Sequence, residues 1–391
     1  MRHLALMLIL IAVPGCSRDI APSATSGDRH QPLPIAAAPA GSVQATGLSL
    51  SGFPLADHAR EFVFPRDHGK HPEYETEWWY YTGTLSDDNG HDFGVQVTIF
   101  RRALTPPVET GRAASWATRD VYLAHFAIAD LSRGTFTVAE RLARGAGDLA
   151  DASLDSHDVH LLDWTVSPIS NGFHLNLADT EKGIGLRADN ADGGPPILHG
   201  VIPGLSLKGG PNQASYYYSL PRIRTVGTLT SHGKEYPVAG LLWMDHEFGS
   251  NQLAPGQRGW EWFAFQFDDG SSVMLYQLRR SDGTVDPASS GTWIGPDGTT
   301  THLLQSDFTL TPTRTWKSPQ SGGEYPVAWH CVIPSVGCDV TVTPRLDACE
   351  LVTTESTGIT YWEGPIRTAG THAGHGYLEM TGYVESLGAR F

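Results

Sequence analysis

Ten residues near the middle of the chain constrain its fold more than any other stretch: Gly240-Leu241-Leu242-Trp243-Met244-Asp245-His246-Glu247-Phe248-Gly249. An apolar, aromatic run reads there as a buried strand, and it ends in three consecutive ionisable residues. Such groups are costly beside a hydrophobic interior unless they are paired or used. A second run, residues 75–83, has the same character, with carboxylates leading into Trp78, Trp79, Tyr80 and Tyr81. Side chains alternate along a strand, so Glu77, Trp79 and Tyr81 share one face while Trp78 and Tyr80 share the other. By the same rule Asp245 and Glu247 point opposite to His246, and only one set can face an enclosed lumen.

The rest of the chain suits such strands. Gly (43), Pro (26) and Trp (11) are plentiful and charged residues make up only 18% of the 391, which favours short strands and turns over long helices. That length exceeds what one core usually fills, so two domains are expected. With 27 Lys+Arg against 42 Asp+Glu, the formal charge is -15 and no basic stripe is present. Nucleic acid is therefore excluded as a partner.

Met1-Arg2-His3 followed by the apolar residues 4–13 has the charged start and short apolar core of a secretory signal. The run is too short to span a bilayer. It ends in Val13-Pro14-Gly15-Cys16, which resembles a bacterial lipobox and implies a signal peptide over 1–15 and lipidation at Cys16. Residues 16–52, rich in Ala, Pro, Ser and Gly, read as a lipidated tether. Ser17 after the cysteine resembles the pattern that sorts lipoproteins to the outer membrane. The expected location is the cell envelope, anchored by lipid and facing the periplasm.

Strand-like pieces recur at short intervals from residue 77 onward, separated by turns such as Asp87-Asp88-Asn89-Gly90 and Asp268-Asp269-Gly270. Their pattern fits a barrel or a sandwich alike. A Gly/Pro-rich stretch at 191–210, followed by a renewed aromatic pattern at 215–219, places the domain boundary near 220. That gives an N-terminal domain over 53–220 and a C-terminal one over 221–391. Cys331 and Cys338 flank the turn Pro334-Ser335-Val336-Gly337, and an exported chain permits a disulfide between them. No His or Cys spacing matches a metal motif, and no metal or other cofactor is expected.

Several motifs in order resemble the carotenoid 1,2-hydratase and AttH group of lipocalin-like proteins. They are E-W-W-Y at 77–80, then Gly94, Gln96, Thr98, Phe100 and Arg101, A-H-F at 124–126, Y-Y-S at 217–219 and W-M-D-H-E at 243–247. Trp260, Trp262 and Phe263 follow, then Y-W-E-G at 361–364 and a final block at 376–383. The likeness implies an all-β chain of two lipocalin-like antiparallel β-barrel domains side by side, with apolar ligand space. The group joins hydratases of isoprenoid double bonds to exported lipoproteins associated with ABC-transport components. This chain departs from the hydratase pattern in having Phe248 two places after His246 and no acid beside Tyr276.

Two functions follow from the resemblance. One is a lipoprotein that binds a long apolar or isoprenoid-like molecule. The other is a hydro-lyase or isomerase that protonates an unactivated C=C bond. In the second, Asp245 is the candidate acid, His246 the base or water-orienting group, and Tyr276 supplies a hydroxyl. Trp79, Tyr81, His125, Trp243, Phe248, Trp260 and Trp262 are the expected ligand-binding residues. A purely structural reading also stands, in which Asp245, His246 and Glu247 close a barrel by bonding backbone and an arginine such as Arg222 or Arg224.

Overall fold

A computed structural model describes residues 47–106, 118–191, 193–210, 212–251 and 253–387. The signal segment, Cys16 and most of the tether lie outside the described residues. Among those described there is no α-helix, only strands and three short 3-10 turns.

The strands form two antiparallel sheets. The first holds β1 (Thr76–Ser86), β2 (Asp92–Ala103), β3 (Asp120–Asp130), β4 (Thr135–Arg144), β5 (Ala150–Ala152), β6 (Val159–Leu161) and β7 (Trp164–Ile169). It continues with β8 (Gly172–Asp179), β9 (Ile184–Ala191), β10 (Ile197–Leu198), β11 (Leu205–Leu207), β12 (Ala214–Ser231) and β13 (Lys234–Asn251). The second holds β14 (Gln257–Phe267), β15 (Ser272–Arg280), β16 (Ser290–Ile294), β17 (Thr300–Leu304) and β18 (Thr309–Lys317). It ends with β19 (Glu324–Ile333), β20 (Cys338–Pro344), β21 (Glu350–Val352), β22 (Thr360–Gly370) and β23 (Gly374–Met380). Each sheet curls into a barrel-like shell around its own apolar interior, which is the lipocalin-like architecture.

The division between the sheets falls between Asn251 and Gln257, not near 220. The aromatic stretch at 215–219 opens no new domain; it begins β12, which pairs with β13 and with β9 of the first sheet. β12 and β13 are joined through His232 and Gly233, whose φ values of 50° and 72° are both positive. That is the turn whose twist matches a two-residue hairpin. β13 then pairs with β1, so the two aromatic runs singled out by sequence lie side by side, with Tyr80 opposite Asp245 and Trp79 opposite His246.

The expected Cys331–Cys338 disulfide is absent: both thiols are buried and free. In the β19–β20 ladder Cys331 faces Val340 and Cys338 faces Ile333. The cysteines are thus diagonal neighbours, and diagonal positions lie roughly 7–8 Å apart, beyond the reach of an S–S bond.

Alternation along the strands creates a third apolar cluster between the barrels. Trp79 and Met244 fill the first barrel, and Phe263 and Trp362 the second. Tyr80, Tyr217, Trp243, Trp262, Tyr276 and Tyr377 meet in the seam where β1 and β2 pack on β22 and β23. The backbones come close there: a Cβ on Gly94 would stand 2.5 Å from Pro365 Cγ. Gln266 on β14 ties the sheets by donating to the Pro221 and Leu242 carbonyls at 2.7 and 3.2 Å.

Candidate functional site

A cavity of about 320 Å³ opens in this seam, lined from the first sheet by Trp78, Tyr80, Phe100, His125, Tyr217, Asp245 and Glu247. From the second sheet come Trp260, Trp262, Tyr276, Tyr361, Glu363 and Glu379, and Lys208 closes one side. Its wall is mainly apolar and rich in rings, and its carboxyl groups are its unusual feature.

Asp245 sits on β13 with its side chain turned into the seam by strand alternation. Its Oδ1 accepts from Trp243 Nε1 at 2.6 Å and from Ser219 Oγ, and its Oδ2 accepts from the Tyr217 hydroxyl at 2.7 Å. Tyr217 in turn accepts from Trp262 Nε1 at 3.0 Å, which leaves its own proton for Asp245. Behind Ser219 stands His199, 2.6 Å away through Nε2 and 2.9 Å from Thr292 through Nδ1. Burial pushes the Asp245 pKa up to about 7, against the pull of these three donors. The acid is poised near neutrality.

Glu363 and Glu379 stand directly opposite each other on β22 and β23. Burial, and then the neighbouring Glu379 charge, hold the Glu363 carboxyl well above the ordinary carboxylate range. Its Oε1 accepts from the Tyr80 hydroxyl, while Oε2 is buried without a partner. Glu379 rises to about 8, chiefly by burial, with Asp245 and Glu247 adding repulsion and a Trp260 hydrogen bond opposing. Tyr80 links the acids: it lies opposite Asp245 in the β1–β13 ladder and donates to Glu363.

Lys208 is buried against Glu247, 3.3 Å from its Oε1, with the ammonium 3.9 Å from the Tyr276 ring centre. Burial works against its charge, but Glu247 and Tyr276 keep its pKa above the ordinary value. The Tyr276 hydroxyl donates to the Leu207 carbonyl at 3.0 Å and accepts from Ser290 at 2.8 Å. His125 bridges Tyr361 and Ser356 at 2.7 and 2.9 Å, and burial lowers its pKa to about 3, so its ring is neutral.

The other expected residues lie elsewhere. His246, Trp79 and Tyr81 face the interior of the first barrel, because they occupy the alternate positions of the same two strands, and Phe248 on that same face packs in a separate cluster with Tyr74 and Tyr216. His246 Nε2 bonds Glu77 Oε1 at 2.8 Å and Nδ1 meets the Tyr218 hydroxyl at 2.9 Å. Trp79 stacks on His246 with ring centres 4.9 Å apart, Phe248 stacks on His71 at 3.5 Å, and Tyr81 bonds His157 at 2.5 Å. Arg101 Nε donates to Glu77 Oε2 at 2.9 Å, and His71 bonds both Glu77 and Asp67. The possible ligand atoms of His71, Glu77 and His246 lie within 4.8 Å of one another, a spacing suited to a metal. The donor set speaks against one: His71, held between two carboxylates, has its pKa raised, and Arg101 already neutralises Glu77. His246 thus bonds Glu77 and Tyr218 where the structural reading expected backbone and an arginine, and Arg101 reaches it only through Glu77.

Sequence reasoning thus nominated Asp245, Trp243, Trp260, Trp262, Tyr276 and His125, which the seam brings together. It missed Glu363, Glu379, Tyr80, Tyr217, Ser219 and Lys208. The signal for five of them lay in the motifs at 77–80, 217–219, 361–364 and 376–383, whose polar members had no stated role.

The chain matches the AttH-like family profile over residues 55–383. Its structure is similar to that of a protein assigned as AttH from Nitrosomonas europaea, with 32% identity, a TM-score of 0.74, and coverage of 83% of this chain and 98% of that one. It is also similar to kievitone hydratase from Nectria haematococca, with 16% identity, a TM-score of 0.60, and coverage of 86% and 97%. No curated protein matches.

Proposed function

The chain belongs to the AttH-like family, and from that premise and the buried acids of the seam we propose that it adds water to, or shifts, a C=C bond of a long apolar, isoprenoid-like molecule. The observation that carries this is the convergence of Asp245, Glu363 and Glu379, all with raised pKa values, on one aromatic cavity. A carrier needs a dry pocket, not an acid with a free oxygen pointing into it. Kievitone hydratase, by its name a hydratase, shares the fold.

The hydrogen bonds support one division of roles. Every contact that Asp245 makes is with a donor, so its carboxylate form is the one this surround was built for, and it is the base. Glu363 has one oxygen occupied by Tyr80 and the other free, so protonated Glu363 is the acid. The π pair of the alkene takes the Glu363 proton as a new C–H bond, leaving a carbocation that faces Trp260, Trp262 and Tyr80. A water oxygen bonds to that carbon and passes a proton to Asp245. Transfer of one proton from Asp245 back to Glu363 restores the starting state. If Asp245 instead takes a proton from the adjacent carbon, the double bond shifts and no water is consumed.

We further propose that the protein works from the cell envelope, held there by lipid on Cys16.

Mass spectrometry of isoprenoid alkenes incubated with the protein tests the chemistry. The expected product carries one added water or a moved double bond. Asp245→Asn and Glu363→Gln should each lower the rate by roughly 10²- to 10⁴-fold while leaving ligand binding intact. Binding by the wild type without any turnover, unchanged in Asp245→Asn, would make the protein a carrier.

A further inference from the structure

Among the described residues, eleven buried side-chain atoms lack a hydrogen-bond partner, and five of them lie on the seam-facing sides of neighbouring strands. Thr82 Oγ1 and Thr84 Oγ1 on β1, Gln96 Oε1 on β2, Glu363 Oε2 on β22 and the Tyr377 hydroxyl on β23 are all in this condition. These four strands are among those that pack the two barrels together. Thr82 lies opposite Gln96 in the β1–β2 ladder. Tyr377 lies opposite Pro365, two residues beyond the Glu363–Glu379 pair. Gly94, which touches Pro365, lies opposite Thr84. The orphan atoms therefore form a line that starts at Glu363, passes Gln96, Thr82 and Tyr377, and ends at Thr84.

Each end of that line opens on a cavity. Glu363 belongs to the acid pocket, whereas Thr84 lines a second cavity of about 580 Å³ with Thr368, Arg345, Arg367, His375 and Asp268. The Thr368 hydroxyl there is likewise buried and unpartnered. From Tyr80 to Thr84, and from Glu363 to Arg367, is four residues of extended strand, roughly 13 Å at the usual rise. Along these strands the orphan groups lie between the two linings.

We propose that this seam is a water file that joins the acid pocket to the basic groove, supplies water to the reaction and returns the proton to Glu363. Its functional part rests on the reading of the pocket as a site of C=C chemistry. Buried polar groups are almost always satisfied, and water satisfies them where a site offers two to four polar partners. Five such groups on four adjoining strands make that site. An apolar ligand filling the pocket closes the front to water, yet hydration consumes one molecule per turnover. Each turnover leaves Glu363 ionised and Asp245 protonated. A proton delivered to Glu363 along the file, matched by one lost from Asp245, resets both with no change in net charge.

The test uses the full chain and needs no substrate. A high-resolution crystal structure should show ordered waters within hydrogen-bond reach of Glu363 Oε2, Tyr377 OH, Thr82 Oγ1 and Gln96 Oε1; a seam with no density between these atoms overturns the proposal. In infrared spectra the protonated Glu363 carboxyl, assigned by its loss in Glu363→Gln, should exchange its proton rapidly in D₂O. Tyr377→Phe and Thr82→Val, which each remove one polar group at nearly constant shape, should slow that exchange at least tenfold and lower the melting temperature. Unchanged exchange in both variants overturns the route, and a raised melting temperature in both marks the groups as dry and overturns it as well. If alkenes are turned over but exchange is unaffected, the file alone falls. If exchange slows as expected but no alkene reacts, the file stands and the assigned chemistry falls.

Discussion

Glu379 shows how much a single residue can report about this site. Its pKa of about 8 lies above the ordinary carboxyl value of roughly 4.3, so the folded chain holds a proton there that the unfolded chain releases. The stabilising contribution is complete below the unfolded value and is lost as pH rises through about 8. Glu379→Gln should therefore gain stability over the wild type progressively from acid pH to pH 8, as read by denaturant midpoints across that range. A difference that does not vary with pH would place the carboxyl in water. Arg101 predicts the opposite kind of effect. It is the fixed cation beside fully buried Glu77, whose pKa its charge and the two histidines hold well below the ordinary range against burial. Arg101→Leu leaves that carboxylate without its fixed cation, held only by the two histidines, and should cost about 3–5 kcal/mol in urea unfolding. Pairing it with Glu77→Gln should recover a large part of the loss. At this scale the sequence was informative where one run carried its own contrast. Trp243 and Asp245 stood out as a ring and an acid on one strand, and alternation alone separated Asp245 from His246. Glu363 carried a similar contrast in Tyr361-Trp362-Glu363, but its role stayed hidden because an acid in a strand looks like any solvated face until its neighbours are known.

Those neighbours are set by the pairing of elements, and that is where the sequence became silent. Glu363 meets Glu379 because β22 and β23 pair in one register, and it meets Tyr80 because β1 lies across them. Strand pattern and turns gave a strand at 376–383 but none at 360–370, and they did not say which sheet faces which. The same gap moved the boundary: nothing in the residues at 215–219 tells that β12 returns to β9 and β13 in place of starting a second barrel. It also misplaced the cysteines, since a turn between two strands does not say whether residues on either side are opposed or diagonal. The closest contact between the sheets offers a direct probe of how they are held. Gly94→Val puts a branched side chain where Pro365 Cγ already stands 2.5 Å from the Cβ position, and a proline ring on a paired strand has little room to yield. We expect a loss of about 1–3 kcal/mol, the usual cost of overpacking, with weaker binding of apolar probes because the pocket spans the same seam. Unaltered stability and binding would show that β2 and β22 slide freely past each other.

At the scale of the whole molecule, the proposed site belongs to neither barrel. The interiors of both are packed with side chains, and the acids, rings and unpartnered hydroxyls collect where the two sheets meet. An arrangement that draws a long apolar molecule into such a seam is well served by proximity to a membrane, where such molecules reside. The chain has no electrostatic means of staying there, because its formal charge of -15 repels an anionic leaflet. Among the described residues no helix is long and apolar enough to cross one. On the proposed envelope location, attachment would come from acyl chains on Cys16, whose buried methylenes contribute about 0.8 kcal/mol each and whose hold is insensitive to salt. We predict that the protein fractionates with membranes, resists release by high salt and is freed by detergent. Cys16→Ala should move it to the soluble fraction without altering its melting temperature, since the barrels begin beyond the tether. A Cys16→Ala protein that still sediments with membranes and is still released by detergent would sink the anchor and leave the barrels to find the membrane by another surface.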